Sequence, residues 1–239
     1  MEVSDMKPAK RIETQGADAM FPADAVSAGE DAKEKEKDIG RINYLVLVNK
    51  SNPLPDMWEN KLETTTTVNS LGGEVEVESK AYSTYQLLKA DLEENNGIYI
   101  ELDSGYRSVA AQKELMDRFT GRYGADCAVR TVAAPGYSEH HTGLAIDLYL
   151  RLKDDQGEFT DVGLNEDLVL YPGIWAQIHA KLADYGFILR YPDGREHITG
   201  FGYEPWHIRY VDSADTAREI MEQGLTLEEY LNRSRTVQI

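Results

Sequence analysis

Two short stretches hold the side chains that metal-assisted hydrolysis needs. One is Ser138-Glu139-His140-His141-Thr142-Gly143-Leu144-Ala145-Ile146-Asp147, and the other is Glu204-Pro205-Trp206-His207. Together they offer two imidazoles and a carboxylate for a metal ion, with a further carboxylate to spare. A catalytic zinc ion takes three protein ligands and keeps its fourth position for water. A hydrolase then needs a base beside that water. The chain has one cysteine, Cys127, so neither a thiolate metal site nor an internal disulfide can form. Cys127 has no local signature of a nucleophile and reads as an inert thiol.

The remaining candidates divide on local grounds. Arg107, in Asp103-Ser104-Gly105-Tyr106-Arg107-Ser108, falls where a strand meets a helix. Ser108 alone explains the helix cap, and a guanidinium at a helix start opposes the helix dipole. Its useful role is a grip on a carboxylate or an oxyanion; the plain alternative is a surface Arg paired with one of the many acids. His141 points away from His140 if the backbone is extended, yet it stays open as the alternative ligand. His179 reads as packing or surface and His197 as solvated. Either stretch alone is as readily structural as functional; taken together they favour a site.

These side chains must be held by elements that the pattern outlines. Leu144 to Leu150 reads as a strand with Leu144, Ile146 and Leu148 on one face and Ala145, Asp147 and Tyr149 on the other. The first set is wholly apolar and belongs in the core, so Asp147 faces the site. His140 lies in the turn entering this strand. His207 starts another, Trp206 to Val211, just past Pro205, which cannot donate a ladder hydrogen bond. Further strands are expected at Ile42–Val48, Leu62–Val68, Glu74–Glu78, Ile98–Leu102 and Phe187–Leu189. Helices are expected from Ser79, as cap, to about Asn96 and after Ser108, with Leu115, Met116 and Phe119 inward. Another runs from Pro172 through Trp175, Ile178, Leu182 and Tyr185, and two short ones span Ala214–Gln223 and Thr226–Leu231. Residues 151–170 read as a polar surface loop. The order is mixed, not alternating, which favours an α+β fold with a largely antiparallel sheet flanked by helices.

Length and charge set the outer limits. The chain has 239 residues and a formal net charge of −17. That excess of acid argues against a nucleic-acid binder and against docking of the folded domain on an anionic membrane. Residues 1–38 are rich in Ala, Asp, Glu and Lys, with alternating charges and no face to bury. They read as a flexible tail or linker ahead of a domain at 39–239. No run is long enough to span a membrane, and no secretory leader is legible at the start.

The segments above, with Leu47-Val48-Asn49-Lys50, Pro53-Leu54-Pro55 and Tyr185-Gly186-Phe187-Ile188-Leu189-Arg190-Tyr191-Pro192, occur in an order that resembles the VanY-type D-Ala-D-Ala carboxypeptidases. These belong to a zinc-peptidase superfamily with the lysostaphin-type enzymes and hedgehog, and the resemblance spans nearly all of residues 43–232. It implies a hedgehog/D-Ala-D-Ala-peptidase-like fold and one Zn2+ per chain on His140, Asp147 and His207. It further implies Glu204 as catalytic base, Arg107 as catalytic and substrate-binding, and Ser138, Gln112, Trp206 and Tyr106 at the bound peptide. The substrate it implies is the peptidoglycan stem peptide, cut by a monomer at its C-terminal D-Ala, with D,D or L,D specificity open. The linker-like tail suits an exported envelope enzyme on an anchor. The missing leader suits a cytoplasmic enzyme acting on D-Ala-D-Ala and its precursors, and a non-catalytic zinc-containing module is the alternative of a different class.

Overall fold

The computed structural model describes residues 41–160, 167 and 169–236. The tail expected at 1–38 lies outside them. From Ile42 onward the described residues form one compact unit. Strands β1 (Thr64–Val68) and β2 (Glu74–Glu78) make an antiparallel hairpin. Helix α1 (Ser79–Asp91) follows, ending in a π turn over Leu92–Asn96 that Gly97 stops at φ 63°. Then come β3 (Tyr99–Ser104), α2 (Val109–Tyr123), α3 (Ala125–Thr131), β4 (Ala145–Lys153) and β5 (Phe159–Thr160). The chain closes with α4 (Pro172–Leu182), β6 (Phe187–Leu189), α5 (Glu196–Thr199), β7 (His207–Tyr210), α6 (Ala214–Glu222) and α7 (Leu227–Thr236).

The main sheet runs β3-β4-β7-β6, with β5 on the far end of β4, and all its pairings are antiparallel. Its central strand β4 shows the predicted parity. Ile146 is registered with Ile208, Leu148 with Leu102 and Leu150 with Ile100. These six pack with Tyr85 and Leu88 of α1 and Trp175 and Ile178 of α4 into one core. Each such side chain, fully buried, contributes about 1.5–3 kcal/mol. On the other face the register sets Ser104, Asp147 and His207 side by side across three strands. A register shift between Leu102 and Ser104 marks the end of that row, as bulges do beside sites where a side chain is re-aimed.

The structure departs from the sequence reading in several places. Ile42–Val48 is not a strand. Its apolar alternation is real, but Val46 and Val48 enter the main core while Leu45 and Leu47 pack on a second cluster around Ile188, Val211 and Ile220. The carbonyls of Tyr44 and Val46 accept hydrogen bonds from the Arg209 guanidinium instead of a neighbouring strand. Helix α1 is capped by Glu78, whose carboxylate accepts from Ala81 N, not by Ser79. The supposed loop after Leu150 begins as a hairpin: β4 continues to Lys153 and turns through Asp154 into β5. In α2 only Gln112 is buried; Leu115 and Phe119 line an open cleft.

Candidate active site

Asp147, His140 and His207 converge from three places. Asp147 comes from the middle of the sheet, His207 from its register partner in β7, and His140 from a 3-10 turn, Glu139–Thr142, that leads into β4. His140 Nε2 stands 3.2 Å from Asp147 Oδ2, and His207 Nδ1 stands 3.0 Å from Asp147 Oδ1. One ligand atom from each lies within 4.8 Å of the other two, a spacing that can hold a metal ion.

The outer hydrogen bonds fix which nitrogens face the centre. His140 Nδ1 donates to the Gly105 carbonyl at 2.7 Å, leaving the Nε2 lone pair inward. His207 Nε2 donates to Glu139 Oε2 at 3.0 Å, leaving Nδ1 inward. Asp147 Oδ1 is buried with no hydrogen-bond donor aligned on it among the described residues, despite the nearby ring nitrogen. Two lone pairs and an orphaned carboxylate oxygen aimed at one point are what a small cation needs, and two N/one O is a donor set that zinc accepts. Burial would raise the Asp147 pKa, but His140 and His207 hold it well below the usual carboxylate range.

Gly105 carries the His140 support. A Cβ there would lie 2.3 Å from the Glu76 carbonyl and 2.7 Å from Val77 Cγ2, so the loop can pass over β2 only without a side chain. Gly105→Ala is expected to lower stability by about 1–3 kcal/mol through overpacking. Chemical denaturation checks this, and an unchanged midpoint would refute the close approach.

Glu204 sits beside the triad without joining it. Its Oε2 is 3.6 Å from His207 Nδ1. Burial pushes its carboxyl up to about 7, against the downward pull of His207 and with Asp147 and Glu139 adding to the rise. A carboxylate poised near neutrality suits proton transfer. The turn holding it is fixed by backbone bonds from Glu204 N to the Tyr191 carbonyl and from His207 N to the Glu204 carbonyl. His179, read from sequence as packing or surface, donates to the Pro205 carbonyl at 2.9 Å and stacks on Trp175. It thus braces the same turn.

A cleft of about 470 Å³ opens over these groups. Arg107, Gln112, Ser138 and Trp206 also line it. Arg107 donates to Gln112 Oε1 and Ser104 Oγ, and Gln112 in turn donates to the Ala133 carbonyl, so Gln112 sits behind Arg107 and aims it. Among the described residues, Arg107 has no carboxylate partner in its hydrogen bonds. Tyr106 does not line this cleft; its hydroxyl donates to Glu59. His141 is occupied at both nitrogens, by the Arg107 carbonyl and by Gly136 N, and stands outside the triad.

Sequence reasoning passed over Glu139. It is buried between Arg190 and Arg209, each donating to Oε1 at 2.7 Å, while Oε2 receives His207. Burial opposes its ionisation, but the two guanidiniums hold its pKa well below the usual range. The only local signal was a carboxylate next to a candidate ligand; its cations lie 51 and 70 residues away.

A family model described as VanY, D-alanyl-D-alanine carboxypeptidase, matches residues 74–213. A D-alanyl-D-alanine carboxypeptidase of Enterococcus faecalis is 33% identical over 80% of the chain and 66% of its own length. The putative carboxypeptidase YodJ of Bacillus subtilis is 35% identical over 82% of the chain and 69% of its own. Among solved structures, a variant of the vancomycin-resistance D,D-pentapeptidase VanY in complex with Zn(II) superposes with a TM-score of 0.62 at 31% identity, covering 80% of this chain and 99% of that one. The LdcB LD-carboxypeptidase gives 0.64 at 33% identity, covering 80% and 86%.

Proposed function

The chain belongs to the VanY family of D-alanyl-D-alanine carboxypeptidases, and on that premise we propose that it is a zinc carboxypeptidase removing the C-terminal D-Ala from peptidoglycan stem peptides. The observation that carries this reading is the convergence of His140 Nε2, Asp147 and His207 Nδ1 beside a carboxylate that is not one of them. Zinc held there supplies Lewis-acid polarisation of the scissile carbonyl and acidifies water. Glu204 accepts a proton from the attacking water and returns it to the departing amine of D-Ala. Arg107, aimed by Ser104 and Gln112, steadies negative charge at the reacting carbonyl. Ser138 and Trp206 line the cleft where the peptide lies.

The same reading takes residues 39–239 as the catalytic domain, acting as a monomer, and 1–38 as a charged tail. It puts the enzyme at the envelope, where its substrate is. Among the described residues no helix is long and apolar enough to cross a membrane. An L,D preference is the second reading, favoured by likeness to an LD-carboxypeptidase.

The test incubates the full chain with muropeptides bearing pentapeptide or tetrapeptide stems, before and after chelation and zinc return. Mass spectrometry is expected to show loss of one alanine, abolished by chelator and restored by zinc. Loss from the pentapeptide alone marks D,D cleavage, and from the tetrapeptide alone L,D. A protein that binds stoichiometric zinc and muropeptide yet releases no alanine is a binding module, and the enzymatic reading falls.

A further inference from the structure

The ion network behind His207 reaches beyond Glu139. Arg190 gives its Nε to Glu139 Oε1, and its other two nitrogens go to Glu228, Nη1 to Oε2 at 2.9 Å and Nη2 to Oε1 at 2.6 Å. Glu228 is the second residue of α7 and is buried. Asn49 Nδ2 donates to the same Oε1 at 2.9 Å. Asn49 near the start of the compact unit and Arg190 therefore meet on the one carboxylate of Glu228, near its end, and Arg190 stands two hydrogen bonds from a proposed metal ligand.

The partition of oxygens gives this chain of contacts a consequence. Glu139 divides its carboxylate: Oε1 serves both arginines, and Oε2 serves His207. Arg190 takes only Oε1 because its fork is already filled by Glu228. A buried guanidinium keeps its charge and favours a bidentate carboxylate. With Glu228 gone, the nearest carboxylate to grip with both nitrogens is Glu139, and that grip draws Oε2 away from His207. His207 then loses the acceptor that fixes its tautomer and ring angle.

We infer that docking of α7 and occupancy of the metal site are coupled, with Glu228 a positioning residue that acts on His207 through Arg190 and Glu139. The inference rests on reading His140, Asp147 and His207 as metal ligands. Coupling is reciprocal: α7 docked through Glu228 tightens metal binding, and bound metal tightens α7.

The experiment uses the full chain, stripped by chelator and titrated with zinc against a chromophoric chelator, as wild type and as Glu228→Gln. Second-layer changes at metal sites cost about 10–100-fold in affinity, and at one remove further about a tenfold weakening is expected. The visible spectrum of Co2+-loaded Glu228→Gln is expected to shift, which a merely looser fold leaves unmoved. In wild type, amide exchange within Leu227–Arg233 should quicken on zinc removal while that of Tyr85 and Leu88 in α1 does not. This last arm decides if the variant does not fold. Equal affinities and spectra, or α7 exchange indifferent to zinc, overturn the coupling alone. A wild type that takes up no zinc or cobalt overturns the metal reading and the coupling with it.

Discussion

Glu204→Gln is expected to lower the rate of D-Ala release by about 10²–10⁴-fold, the usual worth of a positioned general base, and to leave the zinc content intact. The geometry separates the two effects. Glu204 stands beside the triad but is not among the three groups that close on one point. Its turn is held through backbone atoms and through His179 on Pro205, none of which an amide side chain disturbs. Glutamine fills the same space but cannot accept the proton. His140→Ala is the contrasting case: it removes a proposed ligand, and both metal and activity are expected to go. Elemental analysis beside a D-Ala release assay distinguishes them. A normal rate in Glu204→Gln would remove the base assignment, and lost zinc would make Glu204 a ligand.

How much of this site was legible in the sequence depended on how local each decision was. Asp147 was fixed by strand parity, since Leu144, Ile146 and Leu148 claim the core face and leave it the other. The choice between His140 and His141 was not local. It turns on Gly105 and Arg107, whose carbonyls come from a loop that only Gly105 lets pass over β2. The strand expected at Ile42–Val48 failed for a related reason. Its alternation correctly marked buried positions, but where its carbonyls find partners depends on Arg209, far along the chain. Likewise Leu115 and Phe119 carry helical spacing without saying that their face lines a cleft rather than the core. Periodicity reports which side is apolar, and only the assembled fold says what that side meets.

The strongest effect on folding is expected from Glu139, the residue that sequence reasoning passed over. Glu139→Gln keeps the shape of the side chain and removes the charge that two fully buried guanidiniums share. Arg190 retains Glu228, but Arg209 is left, among the described residues, with neutral acceptors alone: the new amide oxygen and the carbonyls of Tyr44, Val46 and Tyr210. A buried cation stripped of its counter-charge costs about 3–5 kcal/mol. Urea denaturation of metal-free protein is the right measure, because it leaves out any loss of metal through His207. The cause can be separated from a general loosening by adding Arg209→Met. If the penalty comes from the uncompensated cation, the double variant should be less destabilised than the sum of the two single ones, because the second change removes the charge that the first one stranded. Additive losses would mean that Glu139 and Arg209 stabilise the fold independently, and the shared-carboxylate account of this core would have to be given up.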